Sequence, residues 1–176
     1  PVRDKGIIDT ELQLKDLETI ENRLAKTQKQ AVVGGDKQAK RAVEILLQYK
    51  AVLEQGLSAR TVELEKEDRK LVADLNLLTD KPVLYVCNVD EKSAVTGNEH
   101  TRAVEAAIAD ERAEMLIVAA ATEADIAELD EYEERQMFLE EIGLKESGVA
   151  RLIKAAYKLL DLQTFFTTGA DESRAW

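Results

Sequence analysis

Two short apolar runs with one helical pattern between them constrain the fold of this chain more than any other feature. The runs cover residues 83–87 and 115–119, and both are continuous rather than alternating, as is typical of strands covered on both faces. Between them, residues 101–112 repeat apolar side chains at helical spacing, at Val104, Ala107 and Ile108. Strand, helix and strand in this order predict a parallel βαβ unit and an α/β fold.

This βαβ unit does not make a stable parallel sheet by itself, because such sheets need several strands with helices on both faces. We therefore expect further strands, together with a phosphate-binding loop, from sequence that precedes Pro1. Neither G-x-x-x-x-G-K-S/T nor G-x-G-x-x-G occurs in the chain itself. Strand edges without partners would be exposed, which predicts self-association or partial disorder of this chain.

The first part of the chain has helical periodicity. A helix is predicted from the capping residues Asp9 and Thr10 toward Gln30, and a second helical pattern ends at Gly56. Residues 34–36, Gly-Gly-Asp, interrupt the pattern, so the two helices are predicted to form an antiparallel hairpin with coiled-coil spacing. The apolar positions are Leu17, Ile20, Leu24, Thr27 and Ala31, followed by Ala39, Ala42, Leu46, Tyr49 and Leu53.

Four more elements are predicted along the chain. They are a third helix from Ser58 or Glu63 to Leu78, a helix in the acidic residues 123–141 that Gly143 ends, a helix over residues 147–160, and a strand over residues 163–168. The helix over residues 147–160 has the strongest pattern, because its apolar side chains form a continuous stripe. The strand over residues 163–168 is expected to lack its partner strands.

The overall charge excludes several classes of protein. A net charge of −11 and a pI near 4.7 argue against general DNA binding or a membrane-surface role, because the field repels polyanions. The single cysteine, Cys87, lies in a predicted strand, so we expect a buried, inert thiol and a reducing compartment. No apolar stretch approaches the roughly 18 residues that a membrane span needs. We therefore expect a cytoplasmic protein without a membrane partner.

Positive charge is concentrated in one part of this acidic chain. Residues 22–41 contain six cations and a single carboxylate, which gives +5 locally and leaves −16 for the remainder. In the predicted hairpin these cations lie near the tip, where they could contact the phosphate backbone of structured RNA. The alternative is an ordinary solvated coiled-coil surface. The six residues, called the basic cluster below, are Arg23, Lys26, Lys29, Lys37, Lys40 and Arg41.

Asn88 and Glu91 follow directly after the first apolar run. At the carboxyl end of a parallel strand, an amide and a carboxylate three residues apart can both face a flat hydrogen-bonding ligand such as a nucleobase. That edge is where open α/β sheets bind nucleotides. The alternative is a polar cap between strand and loop. His100, the only histidine, has no partner at metal-ligand spacing and is expected on the surface.

Several separated segments resemble one protein family. They are residues 82–91 (PVLYVCNVDE), 119–130 (AAATEADIAELD) and 159–169 (LLDLQTFFTTG), with shorter matches at residues 9–12 and 34–36. Together, in this order and over essentially the whole chain, they resemble the YchF, or Obg-like ATPase, family. This resemblance implies a parent that is a P-loop ATPase of the Obg-related group, with a helical coiled-coil insertion and a C-terminal TGS domain.

The resemblance also implies an organisation for the chain. Residues 1–14 correspond to the late part of the nucleotide domain, 15–76 to the coiled-coil insertion, 77–160 to the C-terminal part of the nucleotide domain, and 161–176 to the start of the TGS domain. The implied fold is a partial, Rossmann-like P-loop NTPase sheet with an inserted antiparallel coiled-coil hairpin. The phosphate loop, magnesium ligands and catalytic groups fall outside the chain. No catalytic residue is therefore assigned, and the isolated chain is expected to lack ATPase activity.

By the same resemblance, Asn88 and Glu91 stand where related GTPases carry the Asn and Asp of an N-K-x-D signature. Guanine presents two adjacent N–H donors that a short Asp accepts, whereas adenine offers one donor beside an acceptor, so the change implies a preference for ATP. Val89 replaces the signature Lys, and its backbone would lie against the base. The other side of the base would be closed by Ala120, Ala121 and Thr122.

The cofactors implied by this resemblance are ATP and Mg²⁺, and the implied partner is the ribosome or ribosomal RNA. A second possible function is a non-enzymatic module. In that case the helical hairpin would bind a protein or RNA partner, and the α/β part would serve only as a platform.

Overall fold

The computed structural model describes residues 1–33, 36–111, 113–170 and 172–175. It divides into two compact units, Pro1–Lys81 and Pro82–Trp176. The described part of the first unit is helical, and the second combines helices with a small parallel sheet, as the predicted α/β class requires. Within the described ranges, no helix has the length and apolar character needed to cross a membrane.

The helices and strands of the described residues alternate only in the second unit. In chain order they are α1 (Val2–Val33), α2 (Lys37–Glu54), α3 (Lys66–Val72), β1 (Val83–Asn88), α4 (Glu99–Ala107), β2 (Ala113–Val118), α5 (Ala120–Ala127), α6 (Tyr132–Glu141), α7 (Gly148–Leu159), β3 (Phe166–Thr168) and β4 (Ser173–Ala175). Short 3-10 turns occur at Ala59–Thr61, Ala73–Leu75 and Glu91–Ser93.

Helices α1 and α2 pack along each other in the first unit. They run in opposite directions, because Gln13 Nε2 donates to the Gly56 carbonyl at 3.0 Å, whereas Glu21, farther along α1, pairs with Lys50 of α2. The predicted glycine turn at residues 34–35 lies outside the described residues. Of the ten positions predicted to face each other, Leu17 and Ala42 are half-buried. The other eight are buried: Ile20, Leu24, Thr27, Ala31, Ala39, Leu46, Tyr49 and Leu53.

The predicted start of the first helix at Asp9 and Thr10 is wrong, because α1 begins at Val2. Thr10 does not cap the helix; its Oγ1 donates to the Gly6 carbonyl at 2.8 Å, within the helix. One turn earlier, Lys5 and Asp9 form an ion pair at 2.6 Å that stabilises the added helical residues. Side chains that favour caps are tolerated inside a helix when they bond to the preceding turn, so they do not mark its start here.

The predicted third helix is shorter than expected and interrupted. Only Lys66–Val72 is α-helical, and the left-handed residue Asn76, with φ of +50°, follows the next 3-10 turn. Beyond it, the buried Asp16 of α1 accepts hydrogen bonds from the Leu78 N–H at 2.8 Å, the Thr79 N–H at 2.7 Å and the Thr79 hydroxyl at 2.7 Å. These bonds come from residues distant in sequence, and they fix an irregular path that local periodicity does not reveal.

Strands β1 and β2 are parallel, as predicted, with Val83 opposite Ala113 and Asn88 opposite Val118. The connecting helix α4 begins where Asn98 and Thr101 form a capping box. The helix ends at Ala107, earlier than the predicted end at Arg112, which itself lies outside the described residues. Parallel pairing places the carboxyl ends of both strands at the same edge of the sheet.

The expectation that both strands are covered on both faces is wrong for this chain. The residues of β1 are half-buried or exposed, Val86 is 52% exposed, and in β2 only Leu116 is buried. Helix α7 packs against both strands. With two strands in the sheet, each has a neighbour on one side only, so continuous apolar runs do not guarantee burial.

The acidic residues 123–141 form parts of two helices rather than the single predicted helix. Arg135 of α6 donates to the carbonyls of Leu129 and Asp130, and these bonds hold the turn between α5 and α6. The predicted stop is confirmed, because Gly143 follows α6 with φ of +81°.

The end of the chain agrees with the predicted order of helix and strand. Ser147 Oγ accepts from the Ala150 N–H and caps α7, whose bounds confirm the predicted helix. β3 is shorter than predicted and pairs with β4 in antiparallel fashion, so the expectation that it lacks a partner strand is wrong. The apolar stripe of α7 is exposed at Val149, Leu152, Ile153, Tyr157 and Leu160.

Candidate nucleotide-base site and basic cluster

The candidate site lies at the carboxyl edge of the β1–β2 pair. Asn88 is the last residue of β1 and stands opposite Val118, the last residue of β2. Beyond the strands, the Val89 N–H donates to the Val118 carbonyl at 2.9 Å, which keeps the two chain segments together. The Asn88 Oδ1 then accepts from the Ala120 N–H at 3.0 Å. The structure thus joins two of the predicted segments, 32 residues apart in sequence.

Several hydrogen-bonding groups at this edge are left for a ligand. The amide nitrogen of Asn88, an exposed residue, makes no hydrogen bond with another described residue. Helix α5 begins at Ala120 behind Ala119, whose side chain provides no cap. The first N–H groups of a helix have no partner within it, so the N–H groups of Ala121 and Thr122 are available as donors. Amide and backbone donors of this kind match ring nitrogens or carbonyl oxygens of a base.

Glu91 begins a short turn after β1 that the sequence reasoning missed. Asp90 caps the 3-10 turn that starts at Glu91, accepting from the Ser93 N–H at 2.9 Å. Hydrogen bonds from the side chain and backbone of Ser93 lower the pKa of the Asp90 carboxyl. The Asp90 carboxyl is therefore used within the turn. The Glu91 carboxylate is exposed and can accept hydrogen bonds from a ligand. The D-x-x-S spacing was the available signal, because Asp often caps such turns.

The described residues do not form a metal centre. No group of three or more His, Cys, Asp or Glu side chains among them could hold a metal ion. No Mg²⁺ ligand is therefore assigned among them, and no chemical step through Mg²⁺ is derived for them. The strand edge offers hydrogen-bond donors and acceptors of the kinds that a nucleobase uses.

The six cations of the basic cluster fall into two groups, those that form ion pairs with other described residues and those that do not. Arg23 contacts Asp74 at 2.8 Å, and Arg41 contacts both Asp68 and Glu44 at 2.7 Å. Hydrogen bonding and charge attraction from Arg41 lower the pKa of the Asp68 carboxyl. The other four cations are exposed and form no ion pair with a described residue: Lys26, Lys29, Lys37 and Lys40. These four lysines carry the charge that remains available to an external anion.

A shallow cavity lies beside these cations in the first unit. Its volume is about 360 Å³, and Arg23, Lys26 and Gln30 of α1 line it together with Gln38 of α2. Asp36 borders the same cavity but caps α2, accepting from the Gln38 N–H at 2.9 Å. The cavity therefore presents cationic and amide groups, and the carboxylate at its border is already used to cap α2.

His100 and Cys87, the two other side chains considered in the sequence, are not assigned to a site. His100 is exposed, as predicted, with its Nε2 lying 3.8 Å from Glu99. Cys87 is half-buried, less than predicted, and burial raises the pKa of its thiol, which lowers its reactivity.

Fold and sequence together define an α/β protein in which a helical unit precedes a parallel strand pair. No family model matches the chain. Over its whole length, however, it is 48% identical to the ribosome-binding ATPase YchF of Bacillus subtilis (strain 168), 43% identical to that of Escherichia coli O157:H7 and 42% identical to that of Haemophilus influenzae. The chain belongs to the YchF family. It covers 48% of each of these proteins, so it spans about half the length of the curated relatives it matches.

Proposed function

We propose that this chain is part of an ATP-binding and ATP-hydrolysing P-loop protein of the Obg-related group that associates with the ribosome. Its relatives are named ribosome-binding ATPases, and they match the chain from end to end. The chain supplies the face that recognises adenine and a basic helical arm. The observation that carries the proposal is the hydrogen bond between Asn88 and Ala120, because it assembles two separated segments at the edge where α/β sheets bind nucleotides.

In this proposal Asn88 has two tasks. Its Oδ1 fixes the start of α5 through Ala120, and its amide N–H groups donate to acceptor atoms of the base. The backbone of Val89, held by Val118, lies against the base, and the N–H groups of Ala121 and Thr122 close the opposite side. A base held between two anchored segments needs little rearrangement of the protein on binding.

Glu91 accounts for the choice of base. An Asp at this position would lie close to the strand end and accept both N–H donors of guanine at once. The additional methylene of Glu91 moves its carboxylate away from that position, so the two-point contact is lost. Adenine presents one amino donor next to a ring acceptor, and a single carboxylate oxygen satisfies that donor. ATP is therefore favoured over GTP.

ATP, bound with Mg²⁺, would supply the γ-phosphoryl group that is transferred to water. The groups that act on it are proposed to come from other parts of the parent protein. The described residues bind and orient the base, and none of them is assigned a role in hydrolysis. Residues 1–14 and 77–160 are proposed as parts of the nucleotide domain, residues 15–76 as a coiled-coil insertion, and residues 161–176 as the start of a TGS domain. The seam between α1 and α2 supports the insertion, because eight of the ten side chains at its predicted positions are buried.

Nucleotide titration of the full-length protein tests the base site. We expect tighter binding of ATP than of GTP, and Asn88→Ala is expected to weaken ATP binding about tenfold or more, since it removes base contacts and the bond to Ala120. Lys92→Ala is the matched control, because Lys92 is an exposed neighbour in the same turn. Equal affinity of the wild type for ATP and GTP, or for neither, would refute the proposed site.

The basic cluster is proposed to contact ribosomal RNA. A positive segment of this otherwise acidic chain contains Lys26, Lys29, Lys37 and Lys40. The negative charge of the rest of the chain therefore repels RNA least at this segment. Reversing Lys29, Lys37 and Lys40 to Glu in the full-length protein should reduce co-sedimentation with ribosomes and flatten its salt dependence. The same reversal at Lys66, Lys70 and Lys92 is the control for total charge. An unchanged salt profile in the first variant would contradict the RNA contact.

The second possible function, a non-enzymatic interaction module, is separated by the same measurements. It predicts that ribosome or protein binding depends on the basic cluster while nucleotide affinity is absent. The exposed lysines are compatible with both functions, whereas the ordered base-binding edge favours the ATPase.

A further inference from the structure

Glu123 has no role in the proposed base contacts, and it follows directly in sequence after the segment proposed to contact the base. Glu123 belongs to the first turn of α5, immediately after Ala120, Ala121 and Thr122. Its Oε1 accepts from the N–H of Gly148, the first residue of α7, at 2.5 Å. The side chain is only 12% exposed. A carboxylate that accepts from a backbone N–H at a helix start makes a strong, charge-assisted hydrogen bond.

The chain is built to allow this contact. Gly148 is buried, and a Cβ atom placed on it would lie 2.6 Å from Glu123 Oε1 and 3.1 Å from Val118 Cγ1. Any larger residue at position 148 would push α7 away from Glu123 or displace its carboxylate. The hydrogen bond in its present geometry therefore requires glycine at this position.

The charge of Glu123 is partly balanced by Arg151, one turn along α7. Arg151 Nη2 lies 3.9 Å from the same oxygen of Glu123, and both Nε and Nη2 are buried without a hydrogen-bond partner among the described residues. Ser147 already caps α7 through the Ala150 N–H, so Glu123 does not replace a missing cap. It satisfies a further N–H group and connects α5 with α7.

The segment that would close over the base is consequently anchored at both ends. At one end, the Asn88 side chain accepts a hydrogen bond from Ala120, the first residue of the segment. At the other end, Glu123, which follows Thr122, accepts a hydrogen bond from the first residue of α7. Between the anchors lie the N–H groups of Ala121 and Thr122, which have no side-chain cap and must keep a fixed direction to serve a flat ligand. Fixing them before binding reduces the ordering that binding requires.

We infer that Glu123 is a positioning residue for nucleotide binding, which acts through the Gly148 N–H to fix the Ala120–Thr122 segment against the base. This inference rests on the proposed nucleotide site. Loss of the contact loosens the segment and weakens binding of the base, while groups that act on the phosphates are untouched. The expected kinetic signature is a raised KM for ATP with kcat retained.

The test uses the full-length protein with ATP and GTP as probes. Glu123→Ala is expected to weaken ATP binding and raise KM about tenfold, because a charge-assisted hydrogen bond is lost. Glu123→Gln keeps an oxygen acceptor for the Gly148 N–H and should recover most of the affinity. Gly148→Ala disturbs the contact from the opposite helix without a substitution at Glu123 or Arg151. Gly148→Ala therefore tests the role of the contact if Glu123→Ala fails to fold.

Hydrogen exchange of the Ala120 and Glu123 amides, which are hydrogen-bonded to the Asn88 side chain and the Ala119 carbonyl, gives an independent readout when measured without nucleotide. We expect faster exchange in Glu123→Ala and Gly148→Ala, and unchanged exchange in the control Glu128→Gln, an exposed carboxylate at the end of the same helix. Wild-type ATP affinity and KM in both contact variants would overturn the inference and leave the proposed function standing. A wild type that does not prefer ATP would instead refute the proposed function, and the inference with it.

Discussion

Replacement of Asp16 by Asn is predicted to destabilise the helical unit, because Asp16 is a buried carboxylate with three donors and 2% exposure. One oxygen accepts from the Leu78 N–H, and the other accepts from both the N–H and the hydroxyl of Thr79. The Thr79 Oγ1 already accepts from the Ala59 N–H at 3.0 Å, so the hydroxyl proton is committed to Asp16.

An amide at position 16 keeps only one oxygen. If that oxygen faces Leu78, its NH₂ group points at two donors of Thr79, and if it faces Thr79, the Leu78 N–H loses its acceptor. Each hydrogen bond to a charged group is worth roughly 1.5–3 kcal/mol, and a buried donor left without a partner costs a similar amount. We therefore expect Asp16→Asn to reduce the free energy of unfolding by about 3 kcal/mol.

Thermal unfolding of the chain, followed by far-ultraviolet circular dichroism, measures this change. For a unit of this size a loss of about 3 kcal/mol corresponds to a fall in Tm on the order of 12–24 °C. Glu18→Gln is the matched control, because Glu18 lies in the same helix, is exposed and pairs with Lys15 at the surface. An Asp16→Asn variant that melts within about 2 °C of the wild type would refute the reasoning.

Three further substitutions have effects whose direction follows from the structure. Gly97→Ala should destabilise the second unit by about 2–3 kcal/mol in urea unfolding, since φ is +67° and the new Cβ would lie 2.3 Å from Thr101 Oγ1 of the capping box. Gly143→Ala, with φ of +81° but its nearest neighbour at 3.4 Å, should cost less, and an equal cost would contradict the steric argument. The pKa of Asp68 is lowered by Arg41, so this pair stabilises the fold above the ordinary Asp pKa of about 3.9 and is lost as the pH falls through the lowered folded-state value. Carboxyl NMR titration should show the Asp68 pKa rising in Arg41→Gln, and an unchanged titration would exclude the ion pair in solution.

Elements fixed by local signals could be predicted from the sequence. Helix α7 has a cap at Ser147 and an apolar stripe, and Gly56 and Gly143 end helices because their positive φ suits glycine. The parallel pairing of β1 and β2 followed from their order with a helix between them. The buried seam of α1 and α2 followed from spacings of three and four residues.

Features that depend on contacts between distant residues could not be predicted in this way. The irregular path around Leu78 and Thr79 is fixed by Asp16, which lies far away in sequence. The acidic stretch divides into two helices because Arg135 bonds to carbonyl groups of the intervening turn, an interaction that helical periodicity does not encode.

In the candidate site, too, some features could be predicted from local sequence, whereas others depend on contacts between distant residues. The positions of Asn88 and Ala120 followed from strand order, since both lie just beyond the same sheet edge. The anchoring of Glu123 by Gly148 was missed, because a glutamate within an acidic helix resembles a solvated surface residue until α7 is placed. Exposure of the α7 stripe and of Val86 also depends on what lies beside the strands rather than on local sequence.

The central claim is that Glu91 and Asn88 select adenine, and the ratio of the GTP to the ATP dissociation constant in the full-length protein tests it most directly. The ratio should be well above one for the wild type, and Glu91→Asp should lower it about tenfold or more by restoring the two-point contact to guanine. Lys92→Ala should leave the ratio unchanged. A ratio near one in the wild type, or one that Glu91→Asp does not change, would contradict the account.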